Sequence, residues 1–495
     1  MDKVDIKPEF AVDATTDHSK SGGSTSSKVP DDHDDDASIV VDPVLERRVL
    51  RKFDLLVCPQ LGLLLLLCQL DRSNIGNAVV FGLVDSLGLV GIEFNNLSML
   101  FYVLYIVFEI PWVMAVKRFG PNKVLAIALV SWSAVTIGTG FIHNYHQAIA
   151  CRLLLGLTEA GTVPALTFIV STIYNRQDQA KRIATLYIAS AASGAFGGLI
   201  AYGIQSMGAR HGLEAWRWLF IVEGIISIVL GGICWLSLPS SPERAWFLNQ
   251  EEREMMAARK RRNLLYKGSD EFSWSWVRMA FKDPFVYGAA AAMFCSTIPL
   301  YGLATFLPTI IRGLGYSSLQ ANYFTIPVYV FVTIVVIIVS YLSDRFQQRS
   351  FFAIGAAWAC VVGYAIAIGS SKPGVGYFAM FLVVAGVYPF NNMVITWVSN
   401  NISPEHKRSV AIPLFFSLAN SAGLVASQIY PSRDGPRYVM GNSVSLGVEA
   451  FASLIVIAMY LLVRRRNQQK EKLVAQGATE NGKLGDQALD FKYAY

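Results

Sequence analysis

The sequence predicts an all-α membrane protein of twelve transmembrane helices, arranged as two six-helix bundles. Of its 495 residues, 53% are apolar and only 16% are charged, whereas an ordinary soluble domain carries about 25% charged residues. The apolar residues occur in blocks of roughly twenty, the length that a helix needs to cross a bilayer. Because 12% of the residues are aromatic and the mean hydropathy is +0.41, the composition excludes a soluble enzyme and a disordered scaffold.

The polar joints between these blocks divide the chain into five regions. An acidic, Ser/Gly-rich segment at 1–45 is predicted to be a disordered cytoplasmic tail. Residues 46–238 and 284–465 form the N-terminal and C-terminal bundles, 239–283 is a cytoplasmic linker, and 466–495 is a second cytoplasmic tail. The spans are expected at 54–78, 94–116, 122–141, 147–173, 183–207, 216–238, 284–311, 320–342, 351–369, 376–398, 409–430 and 442–463.

Basic residues gather on one side of this topology, which predicts that both termini are cytoplasmic. A multi-pass protein of the plasma membrane is expected. Membrane orientation explains these residues without a nucleic-acid partner, and none is predicted. The residues concerned are Arg47, Arg48, Arg51, Lys52, Lys117, Arg118, Lys123, Lys181, Arg182, Arg345, Arg349, Lys407, Arg408, Arg464, Arg465 and Arg466.

Charged residues inside the spans of the first bundle cost about 2.5–3.5 kcal/mol each to insert, and four of them form a candidate cluster. Asp71 and Arg72 lie in span 1, and Arg152 and Glu159 lie in span 4. Arg152 and Glu159 share a helix face, but the rise of about 10.5 Å between them prevents a direct ion pair. Each therefore needs a partner on another helix. We expect all four to meet in one aqueous cavity. The alternative is a charge network that only fixes helix register.

In the cavity interpretation, Arg72 and Arg152 bind a substrate carboxylate through paired N–H donors. An acid in a low-dielectric environment holds its proton more readily, so Asp71 or Glu159 is the proton-coupling group. Protonation of the acid releases its arginine for the substrate. Protons and anions then move in the same direction, which is symport.

Other polar residues in the spans are less informative. Glu109 and Glu223 are interpreted as structural residues reached by interfacial water, and the case for a functional role of Glu449 is weaker still. In the second bundle, Tyr301, Asn392 and Asn420 are candidates for binding the polar body of a substrate, with hydrogen bonding between helices as the alternative.

No cofactor or metal ion is predicted. The six cysteines lie in apolar stretches without metal or disulfide spacing. Residues 477–483 have the glycine spacing of a phosphate loop, but Leu484 replaces the required hydroxyl and no strand precedes them. Because neither a metalloprotease motif nor a nucleophile elbow occurs, an enzyme is not predicted.

A short internal repeat supports two related halves. Lys117-Arg118-Phe119-Gly120 follows span 2, and Asp344-Arg345-Phe346-Gln347 follows span 8, six spans later. Such repeats are typical of transporters in which one bundle rocks against the other around a site at the midplane. Since each two-bundle unit encloses its own pathway, a monomer is expected.

Three motifs resemble the anion:cation symporter family of the major facilitator superfamily, over about residues 45–465. They are LDRSNIGNA at 70–78, RLLLGLTEAGTVP at 152–164 and LPSSPERAWFL at 238–248. The sequence is most similar to the fungal allantoate permease group, which takes up nicotinate, pantothenate, biotin, allantoate and similar carboxylates. The resemblance implies anion-binding and proton-coupling roles for Asp71, Arg72, Arg152 and Glu159.

The resemblance also implies a gating motif at Arg118, Gly120, Asp344 and Arg345. The sequence departs from the superfamily pattern at two positions: Lys117 stands where an aspartate is usual, and Gln347 replaces the glycine of the second copy. We therefore expect a modified cytoplasmic latch whose acidic partner in the first half is unassigned.

The resulting prediction is proton-coupled import of a small organic anion, vitamin-like or another carboxylate, by alternating access across the lipid bilayer. One alternative keeps the fold and exports or redistributes a metabolite or biosynthetic product. A second alternative is a low-flux nutrient sensor, although the tails are short and their composition suggests no folded signalling module.

Overall fold

The computed structural model describes residues 42–174, 176–267, 274–403, 405–478, 481, 485–489 and 491–495, and these belong to one compact unit. Of the tail predicted at 1–45, residues 1–41 therefore lie outside the described part of the chain. Asp42 begins the described chain and caps the first helix by accepting a hydrogen bond from the backbone of Val44.

The described residues form helices and no strands. The α-helices are α1 Pro43–Leu56, α2 Cys58–Val80, α3 Leu83–Ser86, α4 Glu93–Phe119, α5 Pro121–Thr139, α6 Tyr145–Glu159, α7 Thr162–Ile173, α8 Arg176–Met207, α9 Ala215–Ser237, α10 Gln250–Lys267, α11 Trp274–Lys282, α12 Pro284–Gly313, α13 Ser318–Phe346, α14 Arg349–Gly369, α15 Pro373–Asn401, α16 Glu405–Asn420, α17 Ala422–Ala426 and α18 Val439–Ala475.

The predicted fold class is confirmed. Ten helical stretches among the described residues are long and apolar enough to cross a membrane. Span 5 corresponds to α8, and span 11 corresponds to the shorter apolar pair α16 and α17. We call α2–α9 the first half and α12–α18 the second half.

Span 4 is broken into α6 and α7, and this break places Glu159 at the end of α6. Pro164 has no backbone N–H with which to bond the carbonyl of Ala160, so the helix cannot run through this point unchanged. Gly161 lies in the break against Trp112 of α4, where an added Cβ would stand 2.0 Å from the Trp112 Cβ. The indole of Trp112 donates to the carbonyl of Leu157 at 2.7 Å and fixes the turn.

The two halves touch closely at the end of the bundle formed by the start of α4 and the end of α12. Asn95 donates to the carbonyls of Ser427 and Tyr430 at 2.7 and 3.1 Å. Gly76 of α2 packs on the backbone of Thr305, where a Cβ would lie 1.9 Å from the carbonyl oxygen. We call this the closed end, because the backbones here leave no room for a substrate.

The other end carries the basic loops, and we call it the basic end. Gly120, between α4 and α5, has a φ of 90°, and Gln347, between α13 and α14, has a φ of 54°. Both copies of the internal repeat thus end a helix on a residue with positive φ. Gln347 adopts the left-handed conformation without being glycine, which costs roughly 1–2 kcal/mol.

The linker and the C-terminal region contain more structure than the sequence suggested. In the linker, α10 is tied to α1 because Lys52 pairs with Glu252 at 2.8 Å. Residues 466–475, predicted as the start of a tail, continue α18. Residues 485–489 and 491–495 return to the second half, where Tyr493 is buried.

Candidate functional site

The centre of the first half contains a buried ion pair. Arg72 Nε of α2 donates to Glu159 Oε1 of α6 at 2.6 Å, and the Glu159 side chain is fully buried. Cys68, one helical turn before Arg72, donates to the same oxygen at 3.0 Å. Glu159 Oε2 has no hydrogen-bond partner among the described residues. One oxygen of this carboxyl group is therefore engaged and the other remains available.

An aromatic wall covers this ion pair. The guanidinium of Arg72 stands 4.5 Å from the ring centroid of Tyr105 and 5.3 Å from that of Phe101, both on α4. Tyr102, between them in sequence, stacks on Tyr301 of α12 with ring centroids 4.9 Å apart and planes 28° apart. Guanidinium and aromatic faces attract each other, so the wall holds Arg72 in place without neutralising it.

A chain of hydrogen bonds runs from this wall across the two halves. The Tyr301 hydroxyl donates to Asn420 Oδ1 of α16 at 2.9 Å, and Asn420 Nδ2 donates to Glu109 of α4 at 3.2 Å. Glu109 is 3% exposed. The site is thus shared by the two halves: α2, α4 and α6 supply its charges, and α12 and α16 supply neutral polar groups.

Arg152, unlike Arg72, has no ion-pair partner among the described residues. It is 5% exposed and forms no hydrogen bond or ion pair with the described residues, although Glu159 and Asp71 lie within electrostatic range. It borders a cavity of about 10 Å³, room for about one water molecule. The walls of this cavity are mainly apolar. A buried cation without a counter-ion is costly, so this position favours an anion as its partner.

Asp71 points away from Arg72, since neighbouring residues on a helix are about 100° apart. It is buried, neither of its oxygens has a hydrogen-bond partner among the described residues, and Trp132 of α5, Glu223 of α9, Glu159 and Arg152 lie within electrostatic range. Asp71 therefore lies behind the Arg72–Glu159 pair and not beside the aromatic wall.

The structure brings some of the predicted site residues together. Arg72 and Glu159 form the expected contact between helices, and Tyr301 and Asn420 are linked to each other. Asn392 instead donates to Ser340 of α13 at 2.9 Å, which is a bond between helices of the second half.

The expectation that Glu109 and Glu223 are reached by interfacial water is wrong, because each is 3% exposed. Asn74 Nδ2 donates to Glu223, and Asn420 bonds Glu109. Glu449 is fully buried and accepts from Ser296 Oγ at 3.1 Å. Amide or hydroxyl groups on other helices each supply one hydrogen bond in place of water, and the second oxygen of Glu223 and of Glu449 has no partner among the described residues.

Sequence reasoning did not identify the aromatic wall. Tyr102, Tyr105 and Glu109 are spaced at i, i+3 and i+7, which places them on one face of α4. That spacing was visible in the sequence. Aromatic residues at helical spacing usually indicate ordinary packing, so the pattern carried no functional signal without the position of Arg72.

The predicted gating residues lie at the basic end. Arg118 stacks on Phe119, and both border a cavity of about 620 Å³ with Gly120 and Glu243. Burial favours the neutral form of Glu243, but a hydrogen bond from Lys260 prevails and holds its pKa below the usual value. Glu243 therefore supplies an acid beside the first copy of the repeat, where the sequence left the partner unassigned.

In the second copy, Asp344 accepts from Arg349 at 3.0 Å, and Arg345 is exposed. Arg349 also donates to the carbonyl of Thr396 on α15 at 3.1 Å. Arg349, at the start of α14, thus links the second copy of the repeat at the end of α13 to α15.

The helices and buried charges define a multi-pass α-helical membrane protein of the transporter class. Residues 61–427 match the Major Facilitator Superfamily, and the chain belongs to this superfamily. Its relatives are transporters, which confirms the prediction that it is not an enzyme.

Among the relatives, an uncharacterized transporter of Schizosaccharomyces pombe is 41% identical over 93% of each chain. The high-affinity nicotinic acid transporter of Saccharomyces cerevisiae is 34% identical, covering 93% of this chain and 87% of the relative. The xylose transporter XylE of Escherichia coli, in a partially occluded inward open conformation, has a TM-score of 0.63 at 15% identity, covering 81% of this chain and 97% of that one. A bacterial Spinster homologue, inward-facing and unoccupied, has a TM-score of 0.61 at 15% identity over 85% and 97%. The two solved structures support the fold alone.

Proposed function

We propose that this transporter imports a small organic anion together with protons, as a member of the allantoate permease-like group of the anion:cation symporters. The observation that carries the proposal is Arg152, a buried guanidinium without a hydrogen-bond or ion-pair partner among the described residues. A transported anion supplies the missing charge. The nicotinic acid transporter among the relatives supports a carboxylate.

The Arg72–Glu159 pair provides the coupling step. A proton added at Glu159 Oε2, the oxygen without a hydrogen-bond partner, neutralises the carboxyl group and weakens its hold on Arg72. Arg72 can then turn its N–H donors to a carboxylate held by Arg152. Asp71, behind the pair, is a second group able to hold a proton and to tune the charge of this interior.

Alternating access requires contacts between the halves that break and reform. At the closed end, the Asn95 bonds and the packing of Gly76 seal the pathway. Toward the basic end, the link between Glu109 and Asn420 is one long hydrogen bond, which is easier to break. We propose that the basic end faces the cytoplasm, with Arg118, Gly120, Asp344 and Arg345 forming the latch there.

In this proposal the two six-helix bundles, with borders at 46–238 and 284–465, rock about the site. Asn392 acts by holding α15 against α13 and so shapes the wall opposite the ion pair. The carrier works as a monomer in the plasma membrane, with both termini in the cytoplasm and without cofactor or metal.

The test is uptake of radiolabelled small carboxylates by a fungal strain that lacks its own carriers. Uptake is expected to rise as the external pH falls from 7 to 5 and to collapse with a protonophore. Arg152→Gln removes the unpaired cation and is expected to reduce uptake about ten- to a hundredfold, since a hydrogen bond to a charged group is worth about 1.5–3 kcal/mol. Arg210→Gln, at an exposed arginine, is the matched control.

Surface expression of each variant is measured by labelling, so that loss of transport is separated from loss of protein. Full uptake by Arg152→Gln at normal expression contradicts the anion site. Uptake that does not change with external pH or with protonophore contradicts proton coupling. Efflux of preloaded acid without uptake would show that transport runs opposite to the proposed direction.

A further inference from the structure

The stack of Tyr102 on Tyr301 joins the two halves beside the proposed anion site. Tyr102 belongs to α4 of the first half and Tyr301 to α12 of the second, with ring centroids 4.9 Å apart. Both arginines, Arg72 and Arg152, lie within electrostatic range of Tyr102. A group placed against Tyr102 therefore lies in the electrostatic field of both guanidinium groups, and Arg72 also contacts the neighbouring rings of Phe101 and Tyr105.

Each tyrosine ring has one further contact besides the stack. Gly423 of α17 lies against Tyr102, where an added Cβ would stand 2.3 Å from the Tyr102 ring atom Cδ1. On the other side, the Tyr301 hydroxyl is fixed by Asn420 at 2.9 Å. Gly423 and Tyr301 both belong to the second half, so a movement of the halves changes both contacts of Tyr102, whereas the bond between Tyr301 and Asn420 moves with the second half.

We propose that the transported anion carries a planar ring and that Tyr102 and Tyr301 sandwich this ring during transport. The inference rests on the proposed function and adds the class of substrate. A ring between two aromatic faces needs a centroid separation of roughly 7 Å, close to the upper limit for paired rings. A separation of about 2 Å between the halves provides this space, which is small for a rocking movement.

The geometry also orders the contacts. The ring enters between the tyrosines, and its carboxylate extends toward Arg72, which lies within electrostatic range of both Tyr102 and Tyr301. An acid of the same size without a planar ring can reach the arginines but gains no stacking on either face. Tyr102 and Tyr301 therefore select for shape, and Arg72 and Arg152 select for charge.

Benzoate and cyclohexanecarboxylate form the test pair, since both have six ring carbons and one carboxylate but only benzoate is planar. Their binding to the purified full-length protein in lipid nanodiscs is measured by calorimetry at one pH. Benzoate is expected to bind about tenfold more tightly, as two aromatic contacts of about 0.5–1.5 kcal/mol allow. Tyr102→Phe is expected to keep this ratio because it keeps the ring.

Tyr102→Leu removes one face of the sandwich. It is expected to weaken benzoate binding several-fold and to change cyclohexanecarboxylate binding by less than about twofold, bringing the ratio toward one. Tyr323→Leu, at an exposed tyrosine of α13, is the matched control.

Equal affinity of the unmodified protein for the two acids overturns the sandwich and leaves the anion site intact, provided that Arg152→Gln abolishes both. A ratio unchanged in Tyr102→Leu and in Tyr301→Leu also overturns it. If neither acid binds while small carboxylates without a planar ring are transported, the ring requirement is wrong. If no carboxylate binds or is transported, the proposed function itself fails.

Discussion

Two arginines of the first half, the partly buried Arg72 and the buried Arg152, differ in the groups that balance their charge. Arg72 has an ion-pair partner in Glu159 and two aromatic faces, whereas Arg152 has neither a hydrogen bond nor an ion pair among the described residues. A paired arginine is stable in the absence of substrate, but an unpaired one gains most from an incoming anion. The two arginines thus suit successive steps of binding.

At Glu159, we predict that Glu159→Gln separates transport from proton coupling. Glutamine keeps the size of the side chain and can still accept from Arg72, but it cannot lose or gain a proton in the relevant range. Exchange of internal for external substrate is expected to persist, while accumulation against a gradient disappears. The ratio of uptake rates at pH 5 and pH 7 is expected to fall close to one.

Counterflow in proteoliposomes measures exchange, and uptake driven by an imposed pH gradient measures coupling. Glu251→Gln, at an exposed glutamate of α10, is the control for removing one carboxyl group. Accumulation that continues unchanged in Glu159→Gln would show that the coupling carboxyl group lies elsewhere, with Asp71 the next group to test.

At the scale of a helix, the break between α6 and α7 positions Glu159 against α2. Gly161 allows Trp112 of α4 to approach the break, and Gly156 allows the backbone of Phe101 to approach α6, where a Cβ would stand 2.1 Å from its carbonyl oxygen. These two close approaches hold α4, and with it the aromatic wall, against the helix that carries Arg152 and Glu159.

We predict that Gly161→Ala lowers both thermal stability and transport. The backbone of Gly161 has an ordinary φ of −87°, so the effect is steric: the new methyl group collides with Trp112. Overpacking of this kind costs about 1–3 kcal/mol. Gly138→Ala in α5 is the matched control, because no neighbouring atom lies within 4 Å of its Cβ position. It is expected to be neutral or slightly stabilising, since alanine favours helix by about 1 kcal/mol.

Thermal unfolding of the purified protein, followed by tryptophan fluorescence, measures the first effect, and uptake at matched expression measures the second. Equal unfolding temperatures for the two variants would mean that α4 shifts without cost, and the close packing would then not hold the wall in place.

The sequence predicted the spans well because length and hydropathy decide whether a segment crosses a membrane. It also identified Arg72 and Glu159 as facing groups, since an uncompensated charge in the membrane needs a partner. It could not predict that Asp71 lies behind the pair, because the rotation of α2 depends on its packing against α8, α12 and α9. The burial of Glu109 depends on Asn420, more than three hundred residues away, which no local pattern encodes.

In the whole molecule, the C-terminal segment is bound to the second half by a buried charge cluster. Lys407 of α16 lies between Asp283, which precedes α12, and Asp486, at 2.5 and 2.7 Å. Arg466 of α18 also pairs with Asp283 at 2.9 Å. Asn467 exchanges two hydrogen bonds with the backbone of Tyr493, each of 3.0 Å. The cluster thus joins the starts or ends of three helices to the returning segment.

The two aspartates of this cluster are in opposite electrostatic situations. Burial favours the neutral form of Asp283, but Lys407 and Arg466 outweigh it and hold its pKa below the ordinary value. Burial prevails at Asp486 and raises its pKa, despite Lys407. The stabilising contribution of Asp283 is therefore fully present above the ordinary aspartate pKa of about 3.9 and is lost as the pH falls through its lowered value. The raised pKa of Asp486 acts in the opposite direction.

We predict that Asp486→Asn loosens the C-terminal segment at neutral pH, whereas Asp283→Asn does so much less. Asp486 belongs to the segment and bonds Lys407 directly, while Asp283 bonds Lys407 and Arg466, which belong to α16 and α18. Losing the charged hydrogen bond to Lys407 costs about 1.5–3 kcal/mol, enough for at least a tenfold faster cleavage of the opened segment in Asp486→Asn. Asparagine at 283 can still cap α12, as Asp283 does by accepting from Phe285, and the bond between Asp486 and Lys407 remains, so the rate in Asp283→Asn is expected to stay within about twofold of the unmodified protein. Chymotrypsin cleavage after Phe491, followed by mass spectrometry, measures both rates, because that bond is accessible only when the segment leaves the bundle. Equal rates in the two variants would show that the pairing with Lys407 does not hold the segment, and that its hydrogen bonds with Asn467, Asn401 and Trp397 do.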